Sequence, residues 1–224
     1  MIMRVLLVCA APYEGDPCDV AELSEQHELV VAVDGGGALC RRAGVLPDLI
    51  IGDFDSLPVA DLEHLTAAGS EVVRYSSHKD ETDLGLALEI VRDRGATGIS
   101  VTAALSGRLD HSLATLGLLA RAADLSPECY EPDLRAWVLS SSGRMSLGLT
   151  GEGATFSVIA LCEGSCVTMD GARWSGVSIE LGLLDTRGVS NVIESSPTHI
   201  TVEHGTVLVF SSPEGCVPIA DNLG

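Results

Sequence analysis

Between residues 3 and 139 the chain alternates short apolar runs with stretches whose apolar residues recur every three or four positions. The runs cover 3–9, 28–33, 49–51, 71–74, 99–105 and 134–139. Their nearly unbroken hydrophobicity predicts strands buried on both faces, as in a parallel sheet. Helices are predicted over 19–27, with Asp19 as its cap, and over 38–43, 58–68, 82–94 and 111–123. Gly44, Gly69 and Gly95 act as stops and Pro58 as a start. Strands alternating with helices specify an α/β domain, whose binding crevice lies beyond the carboxyl ends of the strands.

The pattern changes near residues 140–143, Ser-Ser-Ser-Gly. Beyond them come short β-type runs at 156–161, 166–169, 177–181, 189–193, 200–202 and 207–210, separated by glycines and Ser-Pro pairs, with no helical period. The expected architecture is therefore a mostly parallel, Rossmann-like α/β domain over 1–142, followed by a smaller all-β sandwich or barrel over 143–224.

Composition narrows the partners. A net charge of -19 repels nucleic acid and anionic membranes. Residues 1–142 hold 23 of the acidic side chains against 10 basic ones, so the first domain carries most of the ionisable chemistry. No apolar stretch reaches membrane-spanning length, and the apolar N-terminus is too short for a secretory signal. Seven scattered cysteines make no disulfide framework, and Cys162 and Cys166, with no second pair to complete a zinc site, read as hairpin core residues. These features predict a soluble, cytoplasmic protein.

The candidate chemistry collects at strand ends. Asp53 and Asp55 follow the 49–51 run, and in an extended chain residues two apart share a face. Asp80 and Asp83 sit three apart at the mouth of a helix, where both can lie on one side. Four carboxylates in one crevice stay ionised together only with a cation, and a hard divalent metal suits all-oxygen ligands. The alternatives are local: Asp55 or Asp53 as a turn or cap residue, Asp80 as a helix N-cap. Asp34-Gly35-Gly36-Gly37, between a strand and a helix, is either a phosphate-binding turn or simply a tight one. Lys79, the only lysine in the chain, lies within the acidic cluster. Arg108, Asp110 and His111 place a cation, an anion and an imidazole on one strand-to-helix turn, and an arginine there suits bidentate phosphate contact.

Taken together, GDFDS at 52–56, KDETD at 79–83 and SGRLDH at 106–111 resemble the motifs of the thiamine pyrophosphokinase family, in that order and across most of residues 30–115. The Asp34-Gly35-Gly36 turn fits the same resemblance, although Gly37-Ala38 replaces the family's usual Ala-Asn. More thinly, Gly171-Ala172-Arg173-Trp174 and Gly188-Val189-Ser190-Asn191 resemble its thiamine-side motifs.

The resemblance implies Mg²⁺-dependent transfer of diphosphate from ATP to the hydroxyl of thiamine, with AMP released. It implies Mg²⁺ on Asp53, Asp55 and Asp83, directly or through water, with Asp80 orienting the cluster or assisting the acceptor hydroxyl, and Lys79 and Arg108 neutralising phosphate. The nucleotide would meet Asp34, Gly35, Gly36, Asp53, Ser56, Lys79, Thr82, Arg108, Asp110 and His111. Thiamine would meet Trp174, Ser190 and Asn191, and a homodimer would complete the acceptor site. Two alternatives stay open: a pyrophosphokinase for another hydroxymethyl heterocycle such as a pterin or pyrimidine, and a non-catalytic thiamine- or nucleotide-binding module.

Overall fold

The computed structural model describes residues 3–76, 81–213 and the backbone of 217–219. The chain forms two compact units, Met1–Leu118 with Cys129–Pro132, and Leu119–Glu128 with Asp133–Gly224.

The first unit runs β1 (Arg4–Val8), α1 (Pro17–Ser24), β2 (Leu29–Val33), α2 (Gly36–Arg42), β3 (Leu49–Gly52), α3 (Val59–Ala68), β4 (Glu71–Arg74), α4 (Asp83–Asp93), β5 (Gly98–Thr102) and α5 (Leu109–Arg121), then β6 (Glu128–Tyr130). Its strands lie in the order β6-β5-β1-β2-β3-β4, and the pairs from β5 through β4 are parallel. Every residue of β3 is buried, and Leu49, Ile50 and Ile51 are fully so. Each such side chain contributes about 1.5–3 kcal/mol. The expected mixed α/β class, with a mostly parallel sheet, is what forms.

Local caps differ in one place. Asp16, not Asp19, caps α1: its Oδ1 accepts from the Cys18 amide at 2.9 Å, and Pro17 supplies the first helical residue. A proline at that position needs no N–H donor, which moves the start three residues ahead of the predicted one.

The second unit contains β7 (Arg135–Ser140), β8 (Ser146–Thr150), β9 (Thr155–Ala160), β10 (Ser165–Asp170), β11 (Gly176–Leu181), β12 (Asn191–Val192), β13 (Thr198–His204), β14 (Thr206–Ser211) and β15 (Val217–Ile219). Its strands form two antiparallel groups, β12-β9-β14-β7 and β11-β10-β13-β8-β15. Alternate residues of both groups, among them Trp137, Leu147, Phe156, Val167, Ile200 and Val209, share one core. That is the pattern of a sandwich. The unit takes in β7, which the sequence pattern placed with the parallel sheet, because that strand pairs antiparallel with β14 along its whole length.

Candidate active site

In the first unit the parallel strands β2 and β3 are neighbours, with Val33 opposite Ile51. The residue after β2 is Asp34, and the residue after β3 is Asp53. Both therefore leave the sheet at the same end. Asp83 opens α4, whose N-cap is Thr82: the threonine oxygen accepts from the Gly85 amide at 3.2 Å. One carboxylate oxygen from each of Asp34, Asp53 and Asp83 lies within 4.8 Å of the others.

Asp34 is the buried member, 8% exposed. Its φ of 47° is left-handed, a region aspartate tolerates better than bulkier residues. One oxygen accepts a hydrogen bond from the Ser56 hydroxyl. The other, Oδ1, is buried with no hydrogen-bond partner among the described residues. Burial pushes this carboxyl above the usual range, and the charges of Asp83 and Asp55 push the same way, against the lowering effect of Ser56 and the Gly35 amide. A buried, half-satisfied carboxylate beside two others is expensive unless a cation joins it. An all-carboxylate donor set with an orphaned oxygen fits a hard divalent ion.

Two glycines make room for this corner. A Cβ on Gly36 would lie 1.9 Å from the Val8 carbonyl oxygen, so α2 approaches β1 only without a side chain. A Cβ on Gly35 would lie 2.7 Å from Ser56 Oγ, the hydroxyl that holds Asp34. Packing thus accounts for both, apart from any phosphate contact.

Asp55 stands elsewhere. The strand ends at Gly52 and Phe54 has a φ of 66°, so the chain turns and the two-residue alternation no longer applies. Asp53 Oδ1 accepts from the Asp55 amide at 3.1 Å, which makes Asp53 a turn-closing residue as well as a member of the cluster. Asp55 is exposed and is not one of the three converging carboxylates, though its charge reaches Asp34. Neither aspartate caps α3, whose N-cap is Pro58. Of the expected trio of Asp53, Asp55 and Asp83, the structure brings Asp53 and Asp83 together, and with them Asp34. A sequence signal for Asp34 exists: two consecutive buried strands, each followed by aspartate, are neighbours in most α/β sheets.

Lys79 and Asp80 lie outside the described residues. Arg108, Asp110 and His111 are exposed at the start of α5. Arg108 Nη2 donates to Asp110 Oδ2 at 2.6 Å, and this hydrogen bond holds the Asp110 carboxyl down at about 2.

In the second unit Trp174 is 57% exposed. It lines a groove of about 740 Å³ with Arg173, Val177, Ile179, Glu180 and Arg187. Asn191 is 2% exposed. Its Oδ1 accepts from the Trp174 amide at 3.1 Å, and its Nδ2 donates to the Trp174 carbonyl at 3.2 Å. The amide expected to touch ligand is committed to the tryptophan's backbone. Ser190 is exposed at a φ of 58°.

Residues 20–130 match the family model of the thiamin pyrophosphokinase catalytic domain. Thiamine pyrophosphokinase of Bacillus subtilis is 32% identical over 101 residues, 45% of this chain and 47% of that protein. Thiamine pyrophosphokinase 1 of Arabidopsis thaliana is 28% identical over 196 residues, 82% of this chain and 72% of that one. The first match therefore spans about half of its relative's length. The crystal structure of thiamine pyrophosphokinase from Bacillus subtilis superposes with a TM-score of 0.80 over 93% of this chain and 98% of that one, at 22% identity, a likeness of fold.

Proposed function

The chain belongs to the thiamine pyrophosphokinase family, and from that premise we propose that it transfers diphosphate from ATP to the hydroxyl of thiamine, releasing AMP. The observation that carries the reading is the convergence of Asp34, Asp53 and Asp83, with a buried, unpartnered Asp34 oxygen, at the carboxyl ends of adjacent parallel strands. These three carboxylates would hold Mg²⁺, with Asp55 in electrostatic reach. The ion would supply neutralisation of phosphate charge as the β-phosphorus is attacked.

The chain's own residues then divide the work. Ser56 fixes one Asp34 oxygen and leaves the other turned to the cluster. Gly35 and Gly36 shape the turn that presents Asp34 beside the nucleotide, and Thr82 sets the start of α4 that carries Asp83. Arg108, at the mouth of α5, meets phosphate by exchanging its contact with Asp110, an exposed pair that solvent screens. Asp110 and His111 border the same phosphates. Lys79 and Asp80 take their roles from the family resemblance alone.

In the second unit Trp174 offers a flat face to the cationic thiazolium ring in a groove lined also by Glu180, Arg173 and Arg187. Ser190, at the neighbouring turn, would contact the acceptor. The exposed Val177, Leu183 and Leu184 favour a second copy as the missing wall, hence a homodimer. No disulfide joins the six described cysteines, and no described helix is long and apolar enough to cross a membrane. We take the compartment to be the cytoplasm.

Product analysis with ATP, Mg²⁺ and thiamine is the direct test. AMP and thiamine diphosphate in equal amounts are expected. ADP would replace diphosphate transfer with ordinary phosphorylation, and AMP formed only with a pterin or pyrimidine alcohol would move the acceptor. Ligand binding without any AMP would leave a binding module.

A further inference from the structure

Arg74 has no part in the chemistry assigned above, yet it touches the turn on which that chemistry depends. It ends β4 directly opposite Gly52 in the parallel register. Its Nη1 donates to the carbonyl oxygen of Asp53 at 2.8 Å. Its guanidinium carbon lies 4.5 Å from the centre of the Phe54 ring. One side chain therefore grips two successive residues of the 53–55 turn.

That turn needs holding. Phe54 has a φ of 66°, a region where a bulky side chain crowds the following carbonyl. Within the turn, Asp53 Oδ1 is tied to the Asp55 amide. The backbone carbonyl of Asp53, the ring of Phe54 and the carboxylate of Asp53 are thereby fixed from separate directions. A guanidinium suits the task because its edge donates to a carbonyl while its face stacks on a ring, and an ammonium cannot do both.

We propose that Arg74 is a positioning residue, which holds the 53–55 turn so that the Asp53 carboxylate converges with Asp34 and Asp83. The proposal rests on the reading of those three as a cation site. Charge and geometry give opposite signs for this residue. Arg74 is a positive group bonded to the backbone of a cluster residue, so if it acted by charge alone, its removal would tighten cation binding. If it acts by holding the turn, its removal weakens cation binding.

The test uses the full chain, with Mn²⁺ as probe and no nucleotide or thiamine present. Arg74→Met should raise the Mn²⁺ dissociation constant about tenfold, in the range seen when a residue supporting a ligand is lost. Arg74→Lys, which keeps the charge and loses the fork, should fall between. Should Arg74→Met fail to fold, the lysine variant is judged alone. Unchanged or tighter Mn²⁺ binding in the variants, or no Mn²⁺ binding by the parent chain, overturns the proposal.

A second readout is free of metal. Hydrogen exchange at the Asp55 amide should speed up about tenfold in Arg74→Met, because opening of a local turn sets the exchange rate. An unchanged rate overturns the proposal as well. Neither readout depends on thiamine, so a parent chain that releases no AMP sinks the proposed reaction while these measurements still decide the role of Arg74.

Discussion

Asp34 and Trp174 are presented in opposite ways. Asp34 is 8% exposed, with a left-handed backbone, and its own burial, with like charges nearby, disfavours its ionised form. Trp174 is 57% exposed, its backbone held by an asparagine that is itself buried and its ring 5.9 Å from the Arg173 guanidinium carbon. The first unit stores strain and unmet charge at its site and needs a ligand to relieve them. The second keeps its aromatic face at little cost and spends its buried polar contacts on fixing a loop. Stability and function should therefore respond to mutation in opposite directions in the two units.

The largest effect should separate Asp53 from Asp55. Asp53→Asn removes one of the three converging charges and should lower AMP release about 10³-fold or more, as loss of a direct charge-stabilising group does. Asp55→Asn leaves the trio intact and should cost about tenfold, the scale for groups acting through a neighbour. Initial rates at saturating Mg²⁺ decide the matter. Equal losses would mean that Asp55 is a ligand and that the trio is drawn wrongly.

The same pair shows what the chain reveals before it folds. The parallel sheet is legible because its strands are apolar throughout and glycines and prolines mark the joints. The cluster is legible as a class of chemistry, aspartates gathered at strand ends and at the mouth of a helix. Its membership is not. The expectation that Asp53 and Asp55 share a face assumes an extended strand, whereas β3 stops at Gly52 and Phe54 turns the chain. Arg74 gives no motif at all, since its value lies in a cross-strand position fixed only when β3 and β4 pair. Asn191 is half legible: its neighbourhood marks a site, but burial turns its amide inward.

An intermediate effect belongs to the second unit. Asn191→Ala leaves the Trp174 amide and carbonyl without their partner and should destabilise the chain by about 2 kcal/mol, the usual penalty for unsatisfied buried polar groups. Trp174→Ala removes an exposed ring and should shift stability by no more than about 0.5 kcal/mol. It should nevertheless raise the KM for thiamine about tenfold with kcat little changed, the loss expected for a desolvated cation–π contact. Denaturant melts with steady-state kinetics on both variants test the contrast. A Trp174→Ala chain that unfolds early, with an unaltered KM, would make the tryptophan a structural residue.

The smallest effect is one of sign, and it puts the first unit's strain to the test. The Asp34 carboxyl is raised by burial, so in the metal-free protein its contribution is favourable below the ordinary carboxylate range and is lost as pH rises through the raised value. Near neutral pH the ionised Asp34 is therefore a liability. Asp34→Asn keeps the shape and removes the charge, and it should raise the metal-free Tm at pH 7.5 by about 2–4 °C, the shift worth about 1 kcal/mol in a chain of this size. The difference should shrink toward pH 4, where the parent carboxyl takes up its proton. Mg²⁺ should raise the Tm of the parent chain and leave that of Asp34→Asn nearly unmoved, since ligand binding to the folded state stabilises only a protein that binds it. A variant less stable than its parent at pH 7.5 without metal would show that Asp34 supports the fold through its charge, and would remove the strain on which the contrast between the two units depends.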